Sequence, residues 1–245
     1  MTSTDPPNLV HLRVWGDFAC VTRPEMKAER VSYPILTPSA ARGVLEAIYW
    51  EPQMHYLIDS IGVIKRGSWF SFRRNEVKKV VSMREAARAM EGGPTMASIR
   101  AGGGAEDATQ RGMLALADVE YLISAEIRLT DRADPPGDSP EKYRGQFARR
   151  ARAGKCTHRP CLGMREFDAH FEFVEDRRSV VLGVDQWAEA EDLGLMLYDV
   201  FDPRLRRSGR DVAPVPVFFH AKVERARLDC HPERVPLIRK QEASA

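Results

Sequence analysis

The chain has 245 residues, 43% of them hydrophobic and 29% charged, with a formal net charge of +2. That length and balance fit a globular protein of one large or two modest domains, and no apolar run reaches the roughly 18 residues of a membrane span. Residues 1–8 are polar and lack the apolar core of a signal peptide, so the expected location is cytoplasmic, with no membrane partner.

Residues 9–15, Leu-Val-His-Leu-Arg-Val-Trp, predict a first strand. Residues 37–50 predict a helix, with Thr37 as N-cap and Pro38 at the first helical position. Ala41, Val44, Leu45 and Ile48 form its apolar face. Arg42, Glu46 and Tyr49 fall on another face, which puts Tyr49 at the rim, and Pro52 stops the helix. Residues 54–66 predict a strand followed by a hairpin through residue 81, and residues 82–90 a short helix. Residues 91–112 carry Gly92-Gly93-Pro94 and Gly102-Gly103-Gly104 and few large apolar residues, the composition of a loop. The absence of Gly-Lys-Ser/Thr rules out a nucleotide P-loop. Residues 119–130 predict a strand. Residues 141–153 predict a helix with Tyr143, Phe147 and Ala151 on one stripe and Gly154 as its stop. Residues 164–175 alternate as a further strand. The resulting order is α+β: a ferredoxin-like plan with an inserted hairpin. Residues 176–245, with strands expected near 193–200 and 215–224, form a small antiparallel β domain with a basic tail. The expected division is thus 1–175 and 176–245.

Only eight of the 37 basic residues are lysine; the other 29 are arginine. Arginine presents a planar fork that suits phosphate and stacks on bases, although a GC-rich genome yields the same bias. Distribution is more informative. Residues 142–159 contain Lys142, Arg144, Arg149, Arg150, Arg152, Lys155 and Arg159 and no acid, a density suited to RNA phosphates. Residues 65–79 interleave Lys65, Arg66, Arg73, Arg74, Lys78 and Lys79 with Trp69, Phe70 and Phe72, a mix that holds single-stranded RNA or builds a charged hairpin on core rings. Cys156, His158 and Cys161 lie close together, but four ligands make a structural zinc site and no second pair is evident, so neither metal nor cofactor is expected. Asp17, Glu25, Glu29, Glu46 and Glu51 are scattered, which does not announce a two-metal nuclease. RNA cutting by such a chain would use attack by the neighbouring 2′-hydroxyl, served by a base, an acid and a cation.

Several segments together resemble one family. They are Arg-Val-Trp-Gly-Asp-Phe-Ala-Cys (13–20), Arg-Pro-Glu-Met-Lys-Ala-Glu-Arg-Val-Ser-Tyr (23–33) and Thr-Pro-Ser-Ala-Ala-Arg-Gly-Val-Leu-Glu-Ala-Ile-Tyr-Trp-Glu-Pro (37–52). Arg-Arg-Asn-Glu-Val (73–77), Arg-Arg-Ala-Arg-Ala-Gly (149–154), Leu-Gly-Met-Arg-Glu-Phe (162–167) and Asp-Leu-Gly-Leu-Met-Leu (192–197) follow. The chain resembles the Cas-five-d family (Dvulg subtype, type I-C) of CRISPR-associated RAMP-superfamily proteins over roughly residues 9–80 and 117–225.

The resemblance implies metal-independent cutting of CRISPR precursor RNA at the base of the repeat hairpin. It also implies retention on the 5′ handle of the mature guide beside the other type I-C Cascade subunits. A non-catalytic RNA-binding scaffold and a general duplex-DNA-binding protein are the alternatives. The family's catalytic set is a Tyr, a Lys and a His. The first two match Tyr49 and Lys142, while the His position holds Tyr143. Imidazole accepts a proton near neutrality; a phenol, near 10, does so only when strongly perturbed. Three readings of the departure stay open: Tyr143 acts with a lowered pKa, another group such as His158 replaces it, or cutting is slow.

Overall fold

The computed structural model describes residue 6 and residues 8–102, 104–203 and 214–239; the end of the basic tail lies outside them. Alternation along β1 (Leu9–Ala19) turns Val10, Leu12 and Val14 to one face of a sheet. After a two-residue strand β2 (Arg30–Val31), Thr37 caps α1 (Pro38–Ile48), its hydroxyl accepting from the Ala40 N–H at 3.3 Å. Ala41, Val44, Leu45 and Ile48 are buried, as their i, i+3, i+4, i+7 spacing predicts. The chain continues through β3 (Met54–Lys65), β4 (Ser68–Val77), α2 (Met83–Met90), β5 (Ala108–Leu129), α3 (Pro140–Arg152) and β6 (His170–Val174). The last elements are β7 (Ala190–Asp199), β8 (Val217–Glu224), β9 (Arg227–Asp229) and β10 (Ile238–Arg239).

The architecture is mixed, with few helices and one large, mostly antiparallel sheet. Its strands run β10-β8-β9-β3-β5-β1-β6. The 22-residue β5 organises it: Glu120–Glu126 lies between β1 and β3, and Ala108–Ala117 continues outward against β4. Helices α1 and α3 share the apolar face, where Leu45, Ile48, Phe147 and Ala151 join Val10, Leu12, Val14, Ile123 and Ile127 in one core. Strand β9 pairs with β3 and β8, so the last quarter of the chain extends the same sheet.

Two strand expectations need correction. The hairpin expected after the 54–66 strand, through residue 81, does not form, nor do β3 and β4 pair with each other. Both pair with β5 instead, β3 beside its second half and β4 beside its first. The chain bends between them at Gly67, whose φ of +75° suits glycine and whose added Cβ would meet the Ala117 carbonyl oxygen at 2.7 Å. The hairpin end is therefore the segment between β4 and β5. It holds α2, which has no buried residue, and the glycine-rich loop, which ends at residue 107. Second, residues 164–169 alternate yet form no strand. Gly163 (φ +89°) turns the chain, the Leu162 carbonyl accepts from the Cys20 N–H at 3.0 Å, and the strand begins only at His170.

Candidate active site

The site grows from two helix ends. Helix α1 stops at Ile48, and Tyr49 is already extended, with φ of −157°, so it leaves the helical face that the sequence pattern assigned to it. The last carbonyls of a helix lack internal partners, and here those of Ala47 and Ile48 find them in α3 and the loop after it. The Thr157 and His158 N–H groups donate to the Ala47 oxygen at 2.7 and 3.3 Å. Arg150 Nε donates to the Ile48 oxygen at 2.8 Å, and the buried Tyr56 hydroxyl donates to the Tyr49 oxygen at 2.8 Å. Tyr49 is thereby fixed, half-buried, beside the exposed Trp50.

The other end is the start of α3. Ser139 caps it by accepting from the Lys142 N–H at 3.2 Å. Behind that cap, Asp138 and Asp134 close a turn, with the Asp138 N–H donating to the Asp134 oxygen at 3.1 Å. Lys142 Nζ donates to the Gly137 oxygen at 2.9 Å and to Asp138 Oδ1 at 3.0 Å. Tyr143 lies against Tyr49 with ring centroids 6.5 Å apart, and its hydroxyl donates to the same Asp138 Oδ1 at 2.5 Å. The far end of α3 closes with the two hydrogen bonds of a Schellman motif, Gly154 N–H to the Ala151 oxygen at 3.0 Å and Lys155 N–H to the Arg150 oxygen at 2.9 Å. Gly154, at φ +63°, permits this turn, which carries residues 155–158 back to α1.

Tyr49 and Lys142 thus each lie against the Tyr143 ring, the ammonium 5.4 Å from its centroid, and Arg149 and Arg150 are close enough to act on the Tyr49 phenol. Burial first, then the Glu51 carboxylate, pushes that phenol above its ordinary value, while the two guanidiniums pull it back. Near neutral pH it is a proton-bearing donor. Tyr143 differs from the reading that gave it a lowered pKa. It is 3% exposed, and burial, reinforced by its bond to the Asp138 carboxylate, raises its phenol. A neutral phenol that already donates to a carboxylate does not accept a proton from a ribose. Asp138 is held down to about 2 by the Asp134 N–H, then by Tyr143 and Lys142. Its contribution to stability is complete above the unfolded value near 3.9 and is lost as pH falls toward 2.

The acid-free run also looks different once folded. Asp138 pairs with Lys142, Glu175 with Arg152 and Asp168 with Arg159. Arg144 Nε binds the Leu9 oxygen at 2.9 Å, and Arg150 holds Ile48. Arg149 is exposed and its guanidinium donates to Gln146, and neither it nor the exposed Lys155 has an ion pair among the described residues. On β4, Arg74 pairs with Glu76 and Glu166, whereas Arg73 is exposed and has no ion pair among the described residues. Cys156 is exposed and Cys161 half-buried, both as free thiols. No group of three or more His, Cys, Asp or Glu among the described residues is placed to hold a metal ion, and no helix among them is long and apolar enough to cross a membrane. Sequence reasoning missed Asp138 and Thr157. An acid four residues before Lys142 was a readable i, i+4 signal; the Thr157 contact, between a loop and the end of a helix far apart in sequence, was not.

Residues 9–231 match the family described as CRISPR-associated protein (Cas_Cas5) under the heading Cas5d. The chain belongs to the Cas5d family. It is 39% identical to the CRISPR pre-crRNA endoribonuclease Cas5d of Mannheimia succiniciproducens over 228 residues, 92% of this chain and 96% of that protein. Identity is again 39% to the Cas5d endoribonuclease of Thermus thermophilus, over 91% of each chain. The fold agrees with a crystal structure of a CRISPR-associated protein at a TM-score of 0.60 and 22% identity, covering 90% of each chain. Within the Cas5d family this chain carries tyrosine, at position 143, where the sequence resemblance implies histidine.

Proposed function

We propose that this chain is a metal-independent endoribonuclease that cuts CRISPR precursor RNA at the base of the repeat hairpin. The observation that carries the reading is the placement of the Tyr49 ring and the Lys142 ammonium against the same Tyr143 ring, at 6.5 and 5.4 Å from its centroid, with Arg149 acting on the Tyr49 phenol, in a Cas5d chain. The 2′-oxygen attacks the adjacent phosphorus and the bond to the 5′-oxygen breaks. The departing 5′-oxygen takes a proton from water, and the products are a 2′,3′-cyclic phosphate and a 5′-hydroxyl. Lys142 stabilises the charge that gathers on the phosphorane, and Tyr49 donates a hydrogen bond to the reacting phosphate. Tyr143 serves as the wall that supports both. Arg73, Arg149 and Lys155 offer charge to RNA directly, while Arg74, Arg152 and Arg159 exchange carboxylates for phosphates. Arg144 and Arg150 hold the backbone frame. The strand order β6-β1-β5-β3 beneath two helices supports a ferredoxin-like unit within 1–175, with 176–245 as its β extension. After cutting, the protein stays on the 5′ handle as a cytoplasmic Cascade subunit.

The test uses labelled repeat RNA and purified protein in excess EDTA. One cut with a cyclic-phosphate end, abolished by a 2′-deoxy substitution at the attacking ribose, is the expected result. Tight binding without cutting would make the chain a scaffold, and equal affinity for unrelated duplex DNA at physiological salt would remove RNA selectivity. For the 2′ proton we propose the imidazole of His158, exposed in the loop whose backbone is tied to α1. His158→Ala is expected to slow cutting about 10²-fold, with partial recovery in added imidazole; an unchanged rate excludes it.

A further inference from the structure

We infer that Asp138 is a positioning residue, which holds the Lys142 ammonium and the Tyr143 hydroxyl on one carboxylate oxygen so that the lysine meets the scissile phosphate in a fixed place. The inference rests on the cleavage reading above and deepens it. A lysine head is a compact charge on a flexible four-carbon stem, and left alone at a helix start it samples many positions. Here two of its three N–H donors are committed, to Asp138 Oδ1 at 3.0 Å and the Gly137 oxygen at 2.9 Å. The third is left for an incoming phosphate oxygen. The carboxylate is itself fixed: Oδ2 accepts from the Asp134 N–H at 3.0 Å, and the Asp138 N–H returns to the Asp134 oxygen at 3.1 Å. Tyr143 takes the remaining direction on Oδ1 at 2.5 Å. The charge argues for the same role. A carboxylate beside a phosphate-binding lysine repels RNA, so it works against affinity. Its presence makes sense where geometry matters more than attraction.

Rate and affinity should therefore move apart. In single-turnover reactions at saturating protein, Asp138→Asn is expected to slow cutting about tenfold or more. Its Kd for an uncleavable 2′-deoxy repeat should be equal to that of the wild type or tighter. With Lys142→Ala already present, adding Asp138→Asn should cost nothing further. A wild-type rate for Asp138→Asn, or costs that multiply in the double variant, would overturn the inference. An arm without RNA keeps the two readings separate. In an alkaline ultraviolet titration, with Tyr143→Phe identifying the residue, Asp138→Asn should ionise Tyr143 at lower pH than wild type. An unmoved titration refutes the Asp138 contact whether or not the protein cuts RNA. Absence of wild-type cutting with a shifted titration refutes the cleavage reading and, with it, the positioning role.

Discussion

Lys142→Ala is expected to lower the first-order rate of repeat-RNA cutting by about 10²-fold to 10³-fold, the usual loss when one donor to a developing oxyanion is removed. Affinity should change far less. Lys142 is one phosphate contact among several, so its loss lowers the salt slope of binding by about one. The fold should tolerate the change, because the helix cap uses the Lys142 backbone N–H, which alanine keeps. Tyr49→Phe is expected to share this pattern with a smaller loss. The ring still packs against Tyr143, and its backbone carbonyl still receives the Tyr56 hydroxyl. Only the donated hydrogen bond disappears. Quench-flow rates beside filter-binding constants measure both quantities; equal losses in rate and affinity would move Lys142 from chemistry to binding.

How far the sequence revealed this site depends on how local each signal is. Helices α1 and α3 were legible because their information is contained within a few residues: Thr37-Pro38 at one start, Gly154 at the other end, and apolar spacing between. The position of Tyr49 was legible only to the nearest turn, because its exit from the helix depends on Arg150, Tyr56 and Thr157 arriving from elsewhere. Strand existence was read better than strand pairing. Both β3 and β4 carry strand patterns, but their partner is decided by β5, beyond the loop, and by the bend at Gly67. The basic run shows the same limit. No acid stands within residues 142–159, yet folding brings Glu175 to Arg152 and Asp168 to Arg159. Charge density along a chain therefore overstates charge density on a surface.

The largest expected effect on stability lies away from the reaction, at Arg42. Its side chain is 14% exposed and forks between Asp199, at 2.8 Å from Nε, and Glu46, at 2.6 Å from Nη1. Burial works against the guanidinium charge, but the two carboxylates outweigh it and raise its pKa above the ordinary value. Asp199 is 3% exposed and also accepts from the Val200 N–H at 2.7 Å, so the cluster ties α1 to β7. Truncation removes the cation and leaves the Asp199 carboxylate where little water reaches it, beside the partly exposed Glu46. Breaking a buried pair from one side costs about 3–5 kcal/mol, which at this chain length lowers Tm by roughly 10 °C. Arg42→Ala should show that loss in thermal or urea unfolding. Arg42→Ala with Asp199→Asn should recover part of it, because the second change removes the stranded charge. A double variant that is less stable than Arg42→Ala by the full cost of Asp199→Asn would mean that the two groups act independently and that the tie between α1 and β7 lies elsewhere.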